Sequence, residues 1–299
     1  MNESRFEKQT DVAALEAIVR DLQEQVARLQ QYLQDQRDRL QQAGASPFVL
    51  SADGTTYVLT GFNLQIVSGS GMTDGPINGR GNLIVGYNEQ RALKDNLRTG
   101  SHNLVVGPMH IYSGYGGLVA GVDNTISGPY ASVSGGEKNT ASGASASVSG
   151  GRENTASGDM SSVSGGVENT ASGAWASVSG GADNTASGWN ASVSGGADNT
   201  ASERYASVSG GFRNIASGWS ASVSGGEDNT AGGRIASVSG GGKNTASGDR
   251  SSVSGGEDNT ASGWIASVSG GRKNTASGRE SSVSGGSSNT ASGMFAHWS

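Results

Sequence analysis

The chain has 299 residues, of which 50 are glycine and only 15% are charged, and it has no cysteine. Glycine at this level without a collagen period, with an apolar fraction of 33%, excludes a large compact core. The net charge of −6, with Lys and Arg scattered, gives no basic stripe for nucleic acid, and the missing cysteines exclude disulfides, thiolate metal sites and a cysteine nucleophile.

Residues 1–44 read as a helix. The first ten are polar and show no secretion signal, and no run of about 18 apolar residues follows anywhere, so no membrane insertion is expected. Val12, Leu15, Val19, Leu22, Val26, Leu29, Leu33 and Leu40 recur at alternating spacings of three and four, interrupted only at Gln36. That is a heptad with Val, then Leu, at a and Leu at d, the signature of a coiled coil. Ile18 and Tyr32 fall at g and widen the seam, which favours three strands over two. Ser4 and Glu7 match a capping box upstream, and Gly44 and Pro47 should end the helix.

Residues 45–115 read as a β collar and irregular coils. The segment Thr55 to Val67 has collar character. Strand-like triplets ending in glycine follow at Leu83-Ile84-Val85, Leu104-Val105-Val106 and Leu118-Val119-Ala120, spaced 21 and then 14 residues apart. Imperfect coils with inserted loops, such as Glu89 to Gly100, account for that irregularity.

Residues 116–295 are the most informative. From Ala131 to Phe295 the pattern A-S-V-S-G-G-x-x-N-T-A-S-G-x-x recurs every 15 residues, and Gly116 to Tyr130 is a looser copy. Twelve asparagines, Asn124 to Asn289, stay in phase. A period of this size means stacked supersecondary units. Ser132-Val133-Ser134 and Thr140-Ala141-Ser142 would be the two strands of a coil, with Val133 and Ala141 pointing inward. Gly135, Gly136 and Gly143 would make the corners, through positive φ or close backbone approach. Asn139 and its equivalents would form an amide ladder. The expected architecture is an all-β solenoid, a parallel β-roll of 15-residue coils, roughly 55–60 Å long at about 4.8 Å per coil. One Val and one Ala per coil is a thin core, so lateral association into a parallel, fibrous homotrimer is expected. Residues 296–299 would be a short cap.

Ser-Val-Ser-Gly and Thr-Ala-Ser-Gly resemble the S-V-A-I-G and S-x-A-x-G elements of YadA-like trimeric autotransporter adhesin heads, over about Gly79 to Phe295. The resemblance implies a left-handed parallel β-roll in each of three chains around a threefold axis. This sequence departs from the family in a period one residue longer, in a coiled coil that precedes the roll, and in showing neither signal peptide nor C-terminal anchor barrel. Autotransporter secretion therefore does not carry over. A fibre of a phage tail, an injection machine baseplate or a cell surface fits the domain order better, with an extracellular or fibre-assembly location.

Nothing in the residues points to catalysis or a cofactor. His102, His110 and His297 lack a Cys or carboxylate at ligand spacing, and no G-x-S-x-G elbow or Walker loop accompanies the serines and glycines. The positions after Gly-Gly carry Glu227-Asp228 and Glu257-Asp258 but also Lys138, Arg213, Lys243 and Lys273, and mixed signs defeat a calcium ladder. The reading is a non-catalytic structural or adhesive fibre. The alternative is an ice-binding solenoid, on the Thr140-x-Ser142 array, which Ile215 and Gly232 interrupt. The last two positions of the coils gather Trp175, Trp189, Tyr205, Trp219, Trp264 and Phe295, with Tyr130, Met160, Ile235 and Ile265. Such a ridge would either pack between chains or stack on a glycan, a protein receptor or a neighbouring fibre.

Overall fold

A computed structural model describes residues 3–42, 48–92 and 96–299, and within the helix the side chains of residue 12 and of residues 14–38. The chain forms two compact units, residues 1–65 and 66–299.

The first unit begins with one helix, Glu3–Gln42, about 60 Å long at 1.5 Å per residue. Leu, Gln, Glu, Arg and Ala dominate its sequence, all good helix formers. Exposed pairs one turn apart add little, among them Gln25 Nε2 donating to Asp21 at 2.8 Å and Arg28 facing Glu24 at 3.7 Å. The expected stops Gly44 and Pro47 lie outside the described residues, as do the side chains of Ser4, Glu7 and Leu40. A two-stranded antiparallel hairpin follows, Phe48–Leu50 with Tyr57–Leu59, in the register Phe48 to Leu59. Its loop closes through Ser51 N–H on Thr56 O at 2.7 Å and Thr56 N–H on Ser51 Oγ at 2.9 Å. Of the collar expected at Thr55 to Val67, only Tyr57–Leu59 is a strand, and its partner lies upstream.

The second unit is a parallel β-solenoid of about 13 turns with a 15-residue period. One sheet has 15 strands, from Leu83–Val85 through Leu104–Val106, Leu118–Ala120 and the Ser-Val pairs to His297–Trp298. The other has 13, from Ile111–Tyr112 through the Thr-Ala pairs to Thr290–Ala291. The register is one coil per step, Val133 beside Val148 beside Val163. The three irregular triplets are thus the first strands of the valine sheet, paired Leu83 to Leu104 to Leu118. The tail expected as a cap is its last strand, with Trp298 beside Val283. A third ladder of single bridges, Val122 to Glu137 and on to Ser287, runs through the position after Gly-Gly.

Counting coil positions from Ala131 as the first, the core holds the third (Val133) and eleventh (Ala141), as the pattern requires. It also holds the first (Ala131) and ninth (Asn139), so the column of small residues is double and the amide lies inside. Ser161 and Ser251 at the first position leave their buried hydroxyls unpartnered, whereas Ser281 Oγ donates to Gly278 O at 2.8 Å. In the coil 131–145, five backbone N–H groups donate to the next coil, from Ser132, Ser134, Glu137, Thr140 and Ser142. At about 1 kcal/mol net each, these match or exceed the roughly 1.5–3 kcal/mol from burying one valine. With two alanines buried beside the valine in most coils, hydrogen bonding between coils and apolar burial contribute on a comparable scale.

The corners divide differently from the glycine pattern. Gly136 has φ +80°, and a Cβ there would meet Gly151 O at 2.1 Å. Gly143 lacks positive φ, but its Cβ would meet Gly158 O at 2.1 Å. Gly135 is constrained by neither, its Cβ having only Ser149 O at 3.9 Å. Two further corners per coil fall on non-glycine residues in the left-handed region, the eighth position (Lys138, φ 56°) and the fifteenth (Ser145, φ 54°). Their N–H groups turn back to the preceding coil, Lys138 to Val122 O and Ser145 to Pro129 O. The reversed peptide is what demands the unusual φ.

Candidate functional site

Three surfaces and one buried polar column carry the residues of interest. The first surface is the helix stripe. Val12, Leu15, Val19, Leu22, Val26, Leu29 and Leu33 lie along one helix and are exposed, as are Ile18 and Tyr32. A shallow groove along it is lined by Val12, Leu15, Glu16, Val19, Arg20 and Gln23. A helix that keeps its whole apolar stripe in water is poorly stabilised alone.

The second surface is the outer face of the valine sheet at its N-terminal end. Leu83, Leu104 and Leu118 form the second-position column that continues as Ser132, and Val85, Val106 and Ala120 the fourth-position column that continues as Ser134. Leu83, Val85 and Leu104 are exposed. Apolar side chains thus face outward for three coils, and serines take over for the rest of the stack.

The buried column is the asparagine ladder. Asn139 Oδ1 accepts Asn154 N–H at 2.9 Å, and its Nδ2 donates to Gly135 O at 3.2 Å and Gly151 O at 2.9 Å. The ladder bonds coil to coil chiefly through backbone; direct amide contacts occur in only a few coils, such as Asn184 to Asn169 at 3.1 Å. His110 stands at its head and repeats two of the three bonds. Its Nε2 donates to Val106 O at 2.9 Å, and its Nδ1 accepts Asn124 N–H at 3.2 Å. This fixes the neutral ring, and burial pushes its pKa below the usual imidazole value. His102 Nε2 accepts Ser68 N–H at 2.9 Å, and its Nδ1 reaches Thr73 O at 3.2 Å. His297 Nδ1 meets Ser282 Oγ at 2.6 Å. Each of the three rings is thus held by backbone or serine, and none by another histidine. Among the described residues, no three His, Asp or Glu side chains gather as a metal set. The charged column after Gly-Gly pairs within itself, Arg213 with Asp228 at 3.0 Å and Glu227 at 3.4 Å, and Arg272 with Glu257 at 3.3 Å. Such exposed pairs contribute about 0–1 kcal/mol each.

The third surface is the ridge at the fourteenth and fifteenth positions. Trp189, Trp219 and Trp264 occupy the fourteenth; Trp175, Tyr205 and Phe295 the fifteenth. All six are exposed, from 38% at Trp219 to 56% at Phe295. The rings of the central group touch edge to face, Trp189 to Tyr205 at 5.0 Å and Tyr205 to Trp219 at 6.1 Å. Trp175 and Phe295 lie on the same ridge, outside that cluster. Arginines missed by the pattern reading complete it. Arg204 stacks over Trp189 at 4.2 Å, Arg234 over Trp219 at 4.8 Å and Arg279 over Trp264 at 4.5 Å. A column-wise reading of the variable positions would have found them, since Trp189, Arg204, Trp219 and Arg234 succeed one another one coil apart.

Comparison with protein-family profiles and with curated proteins gives no match.

Proposed function

We propose that this chain is a non-catalytic fibre protein that assembles as a parallel homotrimer, with the N-terminal helix as a coiled-coil stalk and the solenoid as a shaft with an adhesive edge. The observation that carries the reading is the uncovered stripe Val12 to Leu33 on a 40-residue helix. A heptad seam of this kind is buried by copies of itself, and Ile18 and Tyr32 at its margin widen it toward three strands. The apolar outer face at Leu83, Val85 and Leu104 supports lateral contact between copies over the first coils, and the serine face beyond it suits water. The likeness to trimeric adhesin heads in Ser-Val-Ser-Gly and Thr-Ala-Ser-Gly agrees with three chains. Assembly into a tail, baseplate or cell-surface structure follows as the setting.

Sedimentation of the full chain tests this. Three copies of the 30.0 kDa chain give about 90 kDa, and replacing Leu15, Leu22 and Leu29 together with Asn should return the mass to that of one chain. A monomeric parent at micromolar concentration overturns the trimer, and a dimer overturns the likeness to adhesin heads.

A further inference from the structure

The ridge combines features that neither a stable coil nor a solvated edge requires. Its fifteenth position is left-handed in every regular coil, yet Ile235 and Ile265 occupy it at φ 57° and 55°. For a β-branched residue that conformation is strained, by about 1–2 kcal/mol, with no core contact in return, since both side chains are exposed. The coil from Ala191 to Tyr205 breaks a second rule. Glu203 stands where all eleven other regular or near-regular coils have glycine, and its side chain points to solvent beside Arg204 and Tyr205. A repeat that departs from its own packing rules without gain in stability marks a functional surface.

The charges on the ridge are arranged unlike those on the opposite edge. Arg213 and Arg272 there are neutralised by carboxylates. On the ridge, Arg204, Arg234 and Arg250 have no carboxylate within ion-pair distance among the described residues, and only Arg279 meets one, Glu280 at 3.3 Å. Stacking on Trp189 and Trp219 holds the guanidinium planes of Arg204 and Arg234, which is the pre-organisation that recognition of a planar carboxylate needs.

The chain itself shows what this edge accepts. In two coils a fourteenth-position N–H donates to a carboxylate from the next coil, Ala144 to Asp159 Oδ1 at 3.0 Å and Arg234 to Asp249 Oδ1 at 3.1 Å. The corresponding N–H groups of Trp189, Arg204 and Trp219, like those of most other coils, have no partner among the described residues. The central stretch therefore offers free amide donors, held guanidinium groups and exposed aromatic rings together.

We propose that this stretch, centred on Trp189, Arg204, Tyr205, Trp219 and Arg234, binds a linear polysaccharide that carries carboxylates on alternate sugars. This deepens the adhesive part of the function proposed above by naming its ligand class. Aromatic and cationic side chains alternate one coil apart, so the pattern repeats every two coils, about 9.6 Å, on the scale of a disaccharide. Apolar sugar faces meet the rings, carboxylates meet Arg and amide N–H, and Glu203 and Asp249 accept hydroxyl groups. Single-stranded nucleic acid also uses stacking and arginine, but it needs an unbroken positive groove. Here Glu203 and Asp249 interrupt the ridge, which suits a polymer charged on alternate sugars and not one charged at every residue.

The test uses the full chain and hyaluronan fragments, which alternate uronate and neutral sugars. Retardation in a hyaluronan-containing native gel should be clear at low salt and weaken as salt rises. Arg204→Gln with Arg234→Gln should lower affinity at least tenfold, and Trp189→Ala with Trp219→Ala similarly, with sedimenting mass unchanged in both. Neutral chitin oligosaccharides should bind at least tenfold more weakly. The proposal is overturned by an absence of retardation, by equal or tighter binding of oligo-dT, by unaltered affinity in both variants, or by a Trp variant that lowers the assembly mass. A trimer that ignores hyaluronan refutes the ligand alone, and a monomer that binds it refutes the assembly alone.

Discussion

Replacing Asn229 probes what holds the coils together. Asn229 is fully buried. Its Oδ1 accepts Asn244 N–H at 2.9 Å, and its Nδ2 donates to Gly225 O at 3.0 Å and Gly241 O at 2.9 Å. In Asn229→Ala, Asn244 N–H keeps no acceptor in a buried site. Gly241 O retains Glu227 N–H at 3.0 Å, and Gly225 is only half-buried. The cost is thus dominated by one orphaned donor, about 2–3 kcal/mol. Asn229→Asp preserves the shape and the acceptor for Asn244, but sets a carboxylate against the carbonyls of Gly225 and Gly241. Burying that charge without a cation should cost more than the alanine. Its pKa in the fold must then rise above the unfolded value of about 3.9. The stability gap to the parent is smallest below that value, where the acid is protonated in both states and can donate to Gly241 O. The gap widens as pH rises through the folded pKa. Urea unfolding of parent and both variants between pH 4 and 7.5 measures this. If the aspartate is no worse than the alanine at pH 7, or its deficit does not shrink on acidification, the amide's donor role is wrong.

Further tests address other parts of the stack. Gly173→Ala puts Cβ at 2.1 Å from Gly188 O and should cost about 3 kcal/mol or more, whereas Gly180→Ala has nothing within 4 Å and should be neutral or stabilise by up to about 1 kcal/mol; thermal melts of the pair check this. Val208→Asp, in a fully packed column, should destabilise strongly, while exposed Lys243→Glu should change stability by less than about 0.5 kcal/mol; equal shifts would mean the faces are inverted. His110 is held neutral, so its folded pKa lies below the unfolded value of about 6.5, and its contribution is complete above that pH and lost as pH falls through it. Hydrogen exchange at Asn124 N–H should therefore speed up on acidification below about 6.5, after correction for intrinsic rates, more than at Asn229 N–H, and His110→Asn should remove that difference.

The period, the inward valine and alanine columns and the asparagine ladder were legible in the residues, because a stack of identical coils repeats each environment once per period. The helix was legible for the same reason, its heptad being a one-dimensional pattern. Several features were not. Ala131 reads as a strand boundary in the chain, yet stacking closes the coil over it and buries it. The need for glycine at Gly143 but not at Gly135 depends on how near the next coil's carbonyl comes, a distance between residues 15 apart. The left-handed corners at Lys138 and Ser145 escape notice because their residue types vary, while the reversed N–H that requires them is a property of the stack. His110 looked like an isolated histidine until the fold set it in the asparagine column, where an imidazole supplies the same donor and acceptor as an amide. The ridge arginines appeared scattered along the chain. Only the coil-to-coil register sets Arg204 on Trp189 and Arg234 on Trp219, because positions far apart in sequence become neighbours about 4.8 Å apart when the chain winds. What repeats in the sequence thus determined the fold, and the surface chemistry was decided by which non-repeating residues the winding brings into line.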